Sequence, residues 1–204
     1  MFSLIEVVGT ILSEVRYKTV GAKGTQLAEF ALAHKWVNPD SGEVFETRFY
    51  TTLFNGNATW AQENALATGD AVLVLGSELT GTAWKPGDQT LSMLNLKATH
   101  VTRVDPGSRD YLAGQFIGAV GADAEMNYNG QGRARTSFRL ATSAGYYGTD
   151  GKWVDRSHWY NVTLFGRGEE EGQNARAERA ALIAKGDKVL VTLQTVRANG
   201  YLNN

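Results

Sequence analysis

The chain has 204 residues, enough for one large domain or two of about 100 each. Twenty-one acids against twenty bases give a formal net charge of −1, which excludes a protein that coats a polyanion by bulk positive charge. Cysteine is absent, so disulfides and thiolate chemistry are excluded, and the three histidines, His34, His100 and His158, are too scattered to mark a metal cluster.

The N-terminal residues have no basic stretch ahead of an apolar run, so no secretory signal is expected. No apolar run approaches the roughly 18–20 residues of a membrane span, and a soluble cytoplasmic protein is expected. The predicted elements then follow in order. Residues 4–15 and 25–36 read as strands, 38–42 as a turn and 44–54 as a third strand. Residues 57–68 read as a short helix with Asn57 as its cap and Gly69 just past its end. Strands at 71–79 and 90–104 complete the first half.

The second half repeats this plan. Val8-Gly9 is echoed by Val120-Gly121, and Phe30-Ala31-Leu32-Ala33 by Phe138-Arg139-Leu140-Ala141. Leu53-Phe54 is echoed by Leu164-Phe165, and Gly69-Asp70-Ala71-Val72-Leu73-Val74 by Gly186-Asp187-Lys188-Val189-Leu190-Val191. Four matches in the same order, at offsets of 108 to 117 residues, point to a duplicated domain. The seam is the turn-rich Asp105-Pro106-Gly107-Ser108-Arg109-Asp110. The expected domains are 1–105 and 114–204, joined by a linker at 106–113. In the second, the turn falls at 149–151 and a helix at 169–185, with Glu169, Glu170 and Glu171 at its start and Lys185 at its end. Three strands, a helix and two strands is the order of the OB-fold, a small five-stranded barrel. The expected class is therefore all-β with short helices, as two tandem OB-folds. Only 18 residues follow Gly186, so the second barrel is expected to lack its last strand in this chain.

Strand alternation sorts the side chains onto two faces. In the second repeat, Arg133, Arg135 and Arg139 point one way, while Thr136, Phe138 and Leu140 point the other, into the core. In the next strand Tyr160, Val162 and Leu164 share the core face, so Trp153, Trp159 and Phe165 share the outer one. In the first repeat Phe49 and Leu53 take one face and Arg48, Tyr50 and Phe54 the other. Trp36 ends the second strand, and Trp84 sits in the loop after the fourth, beside Lys85. Glu29 is expected to point outward where the second repeat has an arginine, so the second repeat should supply more of the attraction for an anion. Large aromatics interleaved with arginines on a solvent face suit a single-stranded nucleic acid, whose bases stack on rings while guanidinium groups follow the phosphates.

Trp159-Tyr160-Asn161-Val162-Thr163-Leu164-Phe165-Gly166 and Lys185-Gly186-Asp187-Lys188-Val189-Leu190-Val191, each with a counterpart in the first repeat, resemble the OB domain of bacterial single-stranded DNA-binding proteins. The resemblance implies base stacking on Trp36, Phe54 and Trp84 in the first repeat and on Trp159 and Phe165 in the second, with Tyr146 or Tyr147 where the family often has tryptophan. Arg48 stands where the second repeat has Trp159. Two OB domains in one chain are similar to the minority variety that assembles as a homodimer with four OB-folds. The resemblance implies a non-enzymatic, largely sequence-independent binder of single-stranded DNA in replication, recombination and repair, nucleoid-associated, with no cofactor, metal or membrane. The acidic tail by which the family recruits partners is not encoded in this chain. The alternatives are an OB-fold adaptor of primosome type, its aromatics in a protein interface, or an RNA binder on the same fold. Neither a phosphate loop ending in Lys-Ser or Lys-Thr nor a Gly-x-Ser-x-Gly turn occurs, so no enzyme is expected.

Overall fold

A computed structural model describes the chain except for residues 1–2, 39–40, 86–90, 144, 149–150, 169–171, 194 and 199–204, and except for the side chains of Trp84, Leu91, Tyr146 and Tyr147. It separates into two compact units. One comprises Ser3–Gln115 with the described residues from Thr192 onward, and the other is built on Phe116–Val191.

The N-terminal unit holds β1 (Ser3–Ile11), β2 (Arg16–Val20), β3 (Thr25–Val37), β4 (Val44–Phe54), α1 (Gly56–Glu63), β5 (Ala71–Trp84) and β6 (Leu91–Arg103). β1 pairs with both β3 and β5, β5 with β6, and β4 with β3, all antiparallel. β4 and β6 pair in parallel. The five strands therefore form a closed ring, β1-β5-β6-β4-β3, which is the OB-fold order, and closure removes the edges that an open sheet would leave. Its interior is apolar: Ile5, Val7, Phe30, Leu32, Phe49, Leu53, Val72, Val74, Leu79 and Leu96 are all buried. β2 lies outside the ring on β3 and is exposed along its length.

The second half of the chain repeats the frame with β7 (Tyr111–Val120), β8 (Glu125–Tyr128), β9 (Ala134–Ser143), β10 (Tyr146–Tyr147), β11 (Trp153–Val154), β12 (Ser157–Phe165), α2 (Ala175–Ala180) and β13 (Lys188–Leu193), and the C-terminal unit takes β7 from Phe116 and β13 up to Val191. β9 pairs with β7 and with β12, β8 lies on β9, and β13 pairs with β7. Among the described residues no strand joins β13 to β12. Phe116, Val120, Phe138, Leu140, Ala177 and Ala180 are buried between these elements, and the Phe116 and Tyr160 rings meet at 4.9 Å between centroids.

The duplication is written in backbone hydrogen bonds. In the first unit Gly69 N–H donates to the Ile11 carbonyl (2.9 Å), Ile11 N–H to Asp70 O (3.0 Å), and Ala67 N–H to Asp70 Oδ2 (2.9 Å). In the second, Gly186 donates to Val120 O (2.8 Å), Val120 to Asp187 O (2.9 Å), and Ala184 to Asp187 Oδ2 (2.9 Å). Gly69 and Gly186 carry φ of 94° and 93°, a left-handed conformation that favours glycine. Ile11 thus corresponds to Val120, and Gly9 to Gly118. The sequence echo of Val8-Gly9 in Val120-Gly121 is out of step with the fold. A two-residue match carries too little information to set a register.

Several expected boundaries move. β2 lies between the first two predicted strands, where five exposed residues show no buried alternation. α1 ends at Glu63 rather than 68, and α2 spans Ala175–Ala180 rather than 169–185. Asn57 does not cap α1: Asn55 holds the N-cap position, and the Asn57 amide donates instead to Thr99 O at 2.8 Å. β5 runs on to Trp84, which therefore ends a strand rather than lying in a loop. Glu169, Glu170, Glu171 and most of the 149–151 turn lie outside the described residues.

Gly9 and Gly118 make the closing contacts possible. A Cβ on Gly9 would lie 2.1 Å from the Ala33 carbonyl oxygen, and one on Gly118 would lie 2.4 Å from that of Ala141. The obstacle is backbone in both cases, so it cannot swing aside. Gly9→Val is expected to cost about 1–3 kcal/mol through overpacking and to lower the melting midpoint of the N-terminal unit by roughly 5–15 °C. Calorimetry of the variant checks this, and an unchanged midpoint would contradict it.

Candidate functional site

The most open aromatic and basic surface lies on the outer face of β9 and β12. β9 alternates buried Ala134, Thr136, Phe138, Leu140 and Thr142 with exposed Arg135 and Arg139. The cause is simple: its apolar residues recur every second position and must face the core. β12 pairs with it in register from Ser157↔Ser143 to Phe165↔Arg135. The outer face therefore shows Trp159 beside Ala141, Asn161 beside Arg139, Thr163 beside Ser137 and Phe165 beside Arg135. Trp159 is 51% exposed and Phe165 67%. The two rings stand six residues apart on one strand, about 20 Å. Arg133, exposed, extends the basic row one step ahead of β9.

Two contacts hold Trp159 in place. The Arg139 guanidinium carbon lies 5.0 Å from its ring centroid. The far edge of the indole lies across Gly121, where a Cβ would come within 2.4 Å of Cζ3. Trp153 has a parallel arrangement: its ring lies on Gly145, and its indole N–H donates to Asp155 Oδ1 at 2.9 Å. It is 54% exposed, but it belongs to the short β10–β11 ribbon and not to β12, which begins at Ser157. The expectation of one regular strand carrying Trp153, Trp159 and Phe165 is therefore corrected. The backbone of Tyr146 and Tyr147 pairs with Val154 and Trp153, while their side chains lie outside the described residues.

The same strand positions in the N-terminal unit carry different chemistry. Phe54 takes the place of Phe165, but its partner across the ladder is Leu27 where the second unit has Arg135. Ala31 stands for Arg139, Arg48 for Trp159, and Glu29 for Ser137. Glu29 thus does not replace an arginine, as the sequence suggested. The arginine positions are simply neutral. The charges that remain are mutually paired: Arg48 with Glu46 at 2.5 Å and Lys18 with Glu29 at 2.8 Å. The Tyr50 hydroxyl donates to Glu29 Oε2 at 2.7 Å. Lys97 sits 5.5 Å from the Phe54 ring centroid.

Trp36 is 39% exposed and pairs across the ladder with Phe45, their rings 5.5 Å apart at 33°. It has the parity of buried Phe30 and Leu32, so it projects beyond the barrel on their face. The structure does not bring it together with Tyr50 and Phe54. Trp84 closes β5 opposite Leu91 and Lys85 is exposed just after it; the Trp84 side chain lies outside the described residues. The sequence reading missed Phe45, Lys97, Gly121 and Gly145. Phe45 was findable, because it follows the 38–42 turn closely, as Trp36 closely precedes it. No sequence signal marks the two glycines as seats for indole rings. Among the described residues no group of three or more potential metal ligands is gathered, and no helix is long and apolar enough to cross a membrane.

Residues 113–197 match the model of the single-strand binding protein family. That match spans the second repeat. A single-stranded DNA-binding protein from Neisseria meningitidis is 37% identical over 50 residues, which is 24% of this chain and 29% of that relative. The chain thus matches less than a third of the length of the curated relatives. The structure of the wild-type single-stranded DNA binding protein from Thermus aquaticus superposes with a TM-score of 0.66 at 17% identity, covering 98% of this chain and 96% of that one. A deletion mutant of the same protein gives 0.65 at 20% identity. At this identity the likeness shows a shared fold over nearly the whole chain, whereas the family match is confined to the second repeat.

The Tyr50–Glu29 pair makes one prediction. Burial first, then the hydrogen bond to Glu29 and its charge, push the Tyr50 hydroxyl up to about 12. Its protonated form is favoured in the fold, so the stability it contributes is complete below pH 10 and lost as pH rises from 10 toward 12. Ultraviolet titration should show a tyrosine ionising near pH 12 that vanishes in Tyr50→Phe. A wild-type titration with all tyrosines near 10 would contradict the pairing.

Proposed function

We propose that this protein binds single-stranded DNA without strong sequence preference and without catalysis, and that the β9–β12 face carries most of the affinity. The observation behind this reading is the register that sets Trp159 and Phe165, both more than half exposed, among Arg135 and Arg139, which have no ion-pair partner among the described residues. Solvated protein surface gains nothing from such rings, whereas unstacked bases gain about 1–3 kcal/mol each from stacking on them. The family match of the second repeat supports the same ligand. A base arriving on Trp159 takes the place of the Arg139 guanidinium, which keeps its charge and its N–H donors for the adjacent phosphate. Gly121 keeps the ring at the height the base must meet. Duplex DNA is excluded because its bases are already stacked on one another.

The N-terminal unit contributes through Phe54 with Lys97 and through the Trp36–Phe45 pair, with less long-range attraction because its carboxylates neutralise its bases. Trp84, Lys85, Tyr146, Tyr147 and Trp153 extend the contact surface in this reading. A homodimer would present four such barrels to one strand and shield it during replication, recombination or repair, and light scattering should then report twice the 22.2 kDa of one chain.

The deciding experiment is a tryptophan-fluorescence titration with oligo-dT, with duplex and oligo-U controls. Trp159→Ala should weaken binding roughly 5- to 150-fold, the loss of one stacked base at about 1–3 kcal/mol. Gly121→Val should weaken it in the same direction with no change in charge. No quenching by the single strand would overturn the reading, and preference for oligo-U would redirect it to RNA.

A further inference from the structure

Beyond the flat face, Phe165 forms one wall of an open cleft of about 480 Å³ lined also by Arg167, Gly172, Gln173, Ala175, Arg176 and Arg179. Three arginines thus line one cleft with an exposed phenylalanine. Among the described residues, neither Arg167 nor Arg176 has an ion-pair partner. Arg179 spends its Nε on the Ala175 carbonyl at 3.1 Å, which leaves its terminal nitrogens available. The neighbouring Glu178 is occupied by the Tyr128 hydroxyl at 3.3 Å.

Like charges crowd a cleft at a cost unless something else uses them. Among the described residues no carboxylate does. α2 is held by other groups: Asn174 Oδ1 accepts from Ala134 N–H at 3.0 Å, Asn174 Nδ2 donates to Gly132 O at 3.0 Å, and the Thr136 hydroxyl donates to Ala177 O at 2.7 Å. The duplicated frame supplies an internal comparison. The helix following Phe54 has the sequence GNATWAQE, with neither arginine nor lysine, while α2 reads ARAERA. The strand-end phenylalanine is common to both units, and the arginines behind it occur in one.

We infer that the Arg167–Arg176–Arg179 cleft is a phosphate-binding extension of the β9–β12 face, which takes the backbone of a single strand after it leaves Phe165. This rests on the single-strand reading above. Trp159, Arg139, Arg135, Phe165 and the cleft then form one track, with the stacking rings on the flat face and a purely electrostatic clamp beyond it. Planar guanidinium groups suit phosphate oxygens because they offer paired N–H donors. Glu169, Glu170 and Glu171 lie between Arg167 and Gly172 in sequence, so overall charge is no guide to the clamp, and its contribution must be read directly.

Counterion release supplies that reading, since each phosphate neutralised on a single strand contributes about −0.7 to the slope of log K against log salt. Wild type and Arg176→Ala/Arg179→Ala should be titrated with a short oligo-dT that spans only Trp159 to Phe165 and with a long one. The expected result is a slope shallower by about 1.4 for the long strand, no change for the short one, and unaltered maximal quenching. Arg176→Lys/Arg179→Lys, which keeps both charges, should restore most of the slope. A long-strand slope equal to wild type would overturn the clamp while leaving the stacking face intact. A loss of slope on the short strand as well would place the arginines on the flat face instead. If the wild-type chain binds neither strand, the single-strand reading itself fails, and the clamp with it.

Discussion

The structure depends on the close approach of two backbones at a glycine. A first strand that pairs with neighbours on both sides must cross one of them without a side chain in the way, and Gly9 and Gly118 are the residues that permit it. In the N-terminal unit this crossing shuts the ring and separates the chain's surface into an inside and an outside. Once that division exists, the alternation of each strand has consequences. The apolar half of β9 and β12 goes in, and whatever occupies the other half is presented to solvent without competing for the core. The functional chemistry can then vary freely, because the residues that carry it bear little of the folding energy.

The two units show how far that freedom has been used. They share the Gly-Asp turn, its three hydrogen bonds, the crossing glycine and the strand-end phenylalanine. On this common frame one face displays open rings and arginines with no ion-pair partner among the described residues, while the other displays Leu27, Ala31 and a set of charges that satisfy one another. The first arrangement has attraction to offer a polyanion and the second has little. Glu29 illustrates the contrast. Burial raises its carboxyl, and the hydrogen bonds from Lys18 and Tyr50, with the charges of Lys18 and Arg16, more than offset that and hold it below the ordinary carboxylate range. A carboxylate so stabilised remains charged at neutral pH and repels phosphate where the other unit has Ser137.

The parts of this that were legible in the sequence are those set by period and repetition. Phe138 and Leu140 alternate with Arg139, and that alone separates core from face whatever the tertiary context. The Gly-Asp turn recurs with its neighbours intact, and the turn fixes where the following strand begins. The misreadings have equally specific causes. β2 carries no buried position, so no pattern marks it. α1 and α2 are short because Ala58 and Ala61 in one, and Ala177 and Ala180 in the other, are the only helical residues they bury. The polar residues flanking them have no packing reason to be helical, although their composition favours it. Trp153 was placed on the wrong element because parity runs through a break in a strand as easily as through a strand. The seats of the two indoles at Gly121 and Gly145, and the convergence of α2's arginines on Phe165, join residues from different elements, and no local pattern records such a meeting.

A division of labour follows from these positions. Stacking is short-ranged and indifferent to salt, so it needs rings held at fixed height, and the glycines beneath Trp159 and Trp153 give them that. Coulombic attraction is long-ranged and screened within about 10 Å at moderate salt, so it tolerates looser placement and suits long side chains on a short helix. An interface built of both keeps part of its grip when salt rises and still draws a strand in when salt is low. The face and the cleft hold these two kinds of group in adjacent places on one unit, joined at Phe165, the residue that touches both.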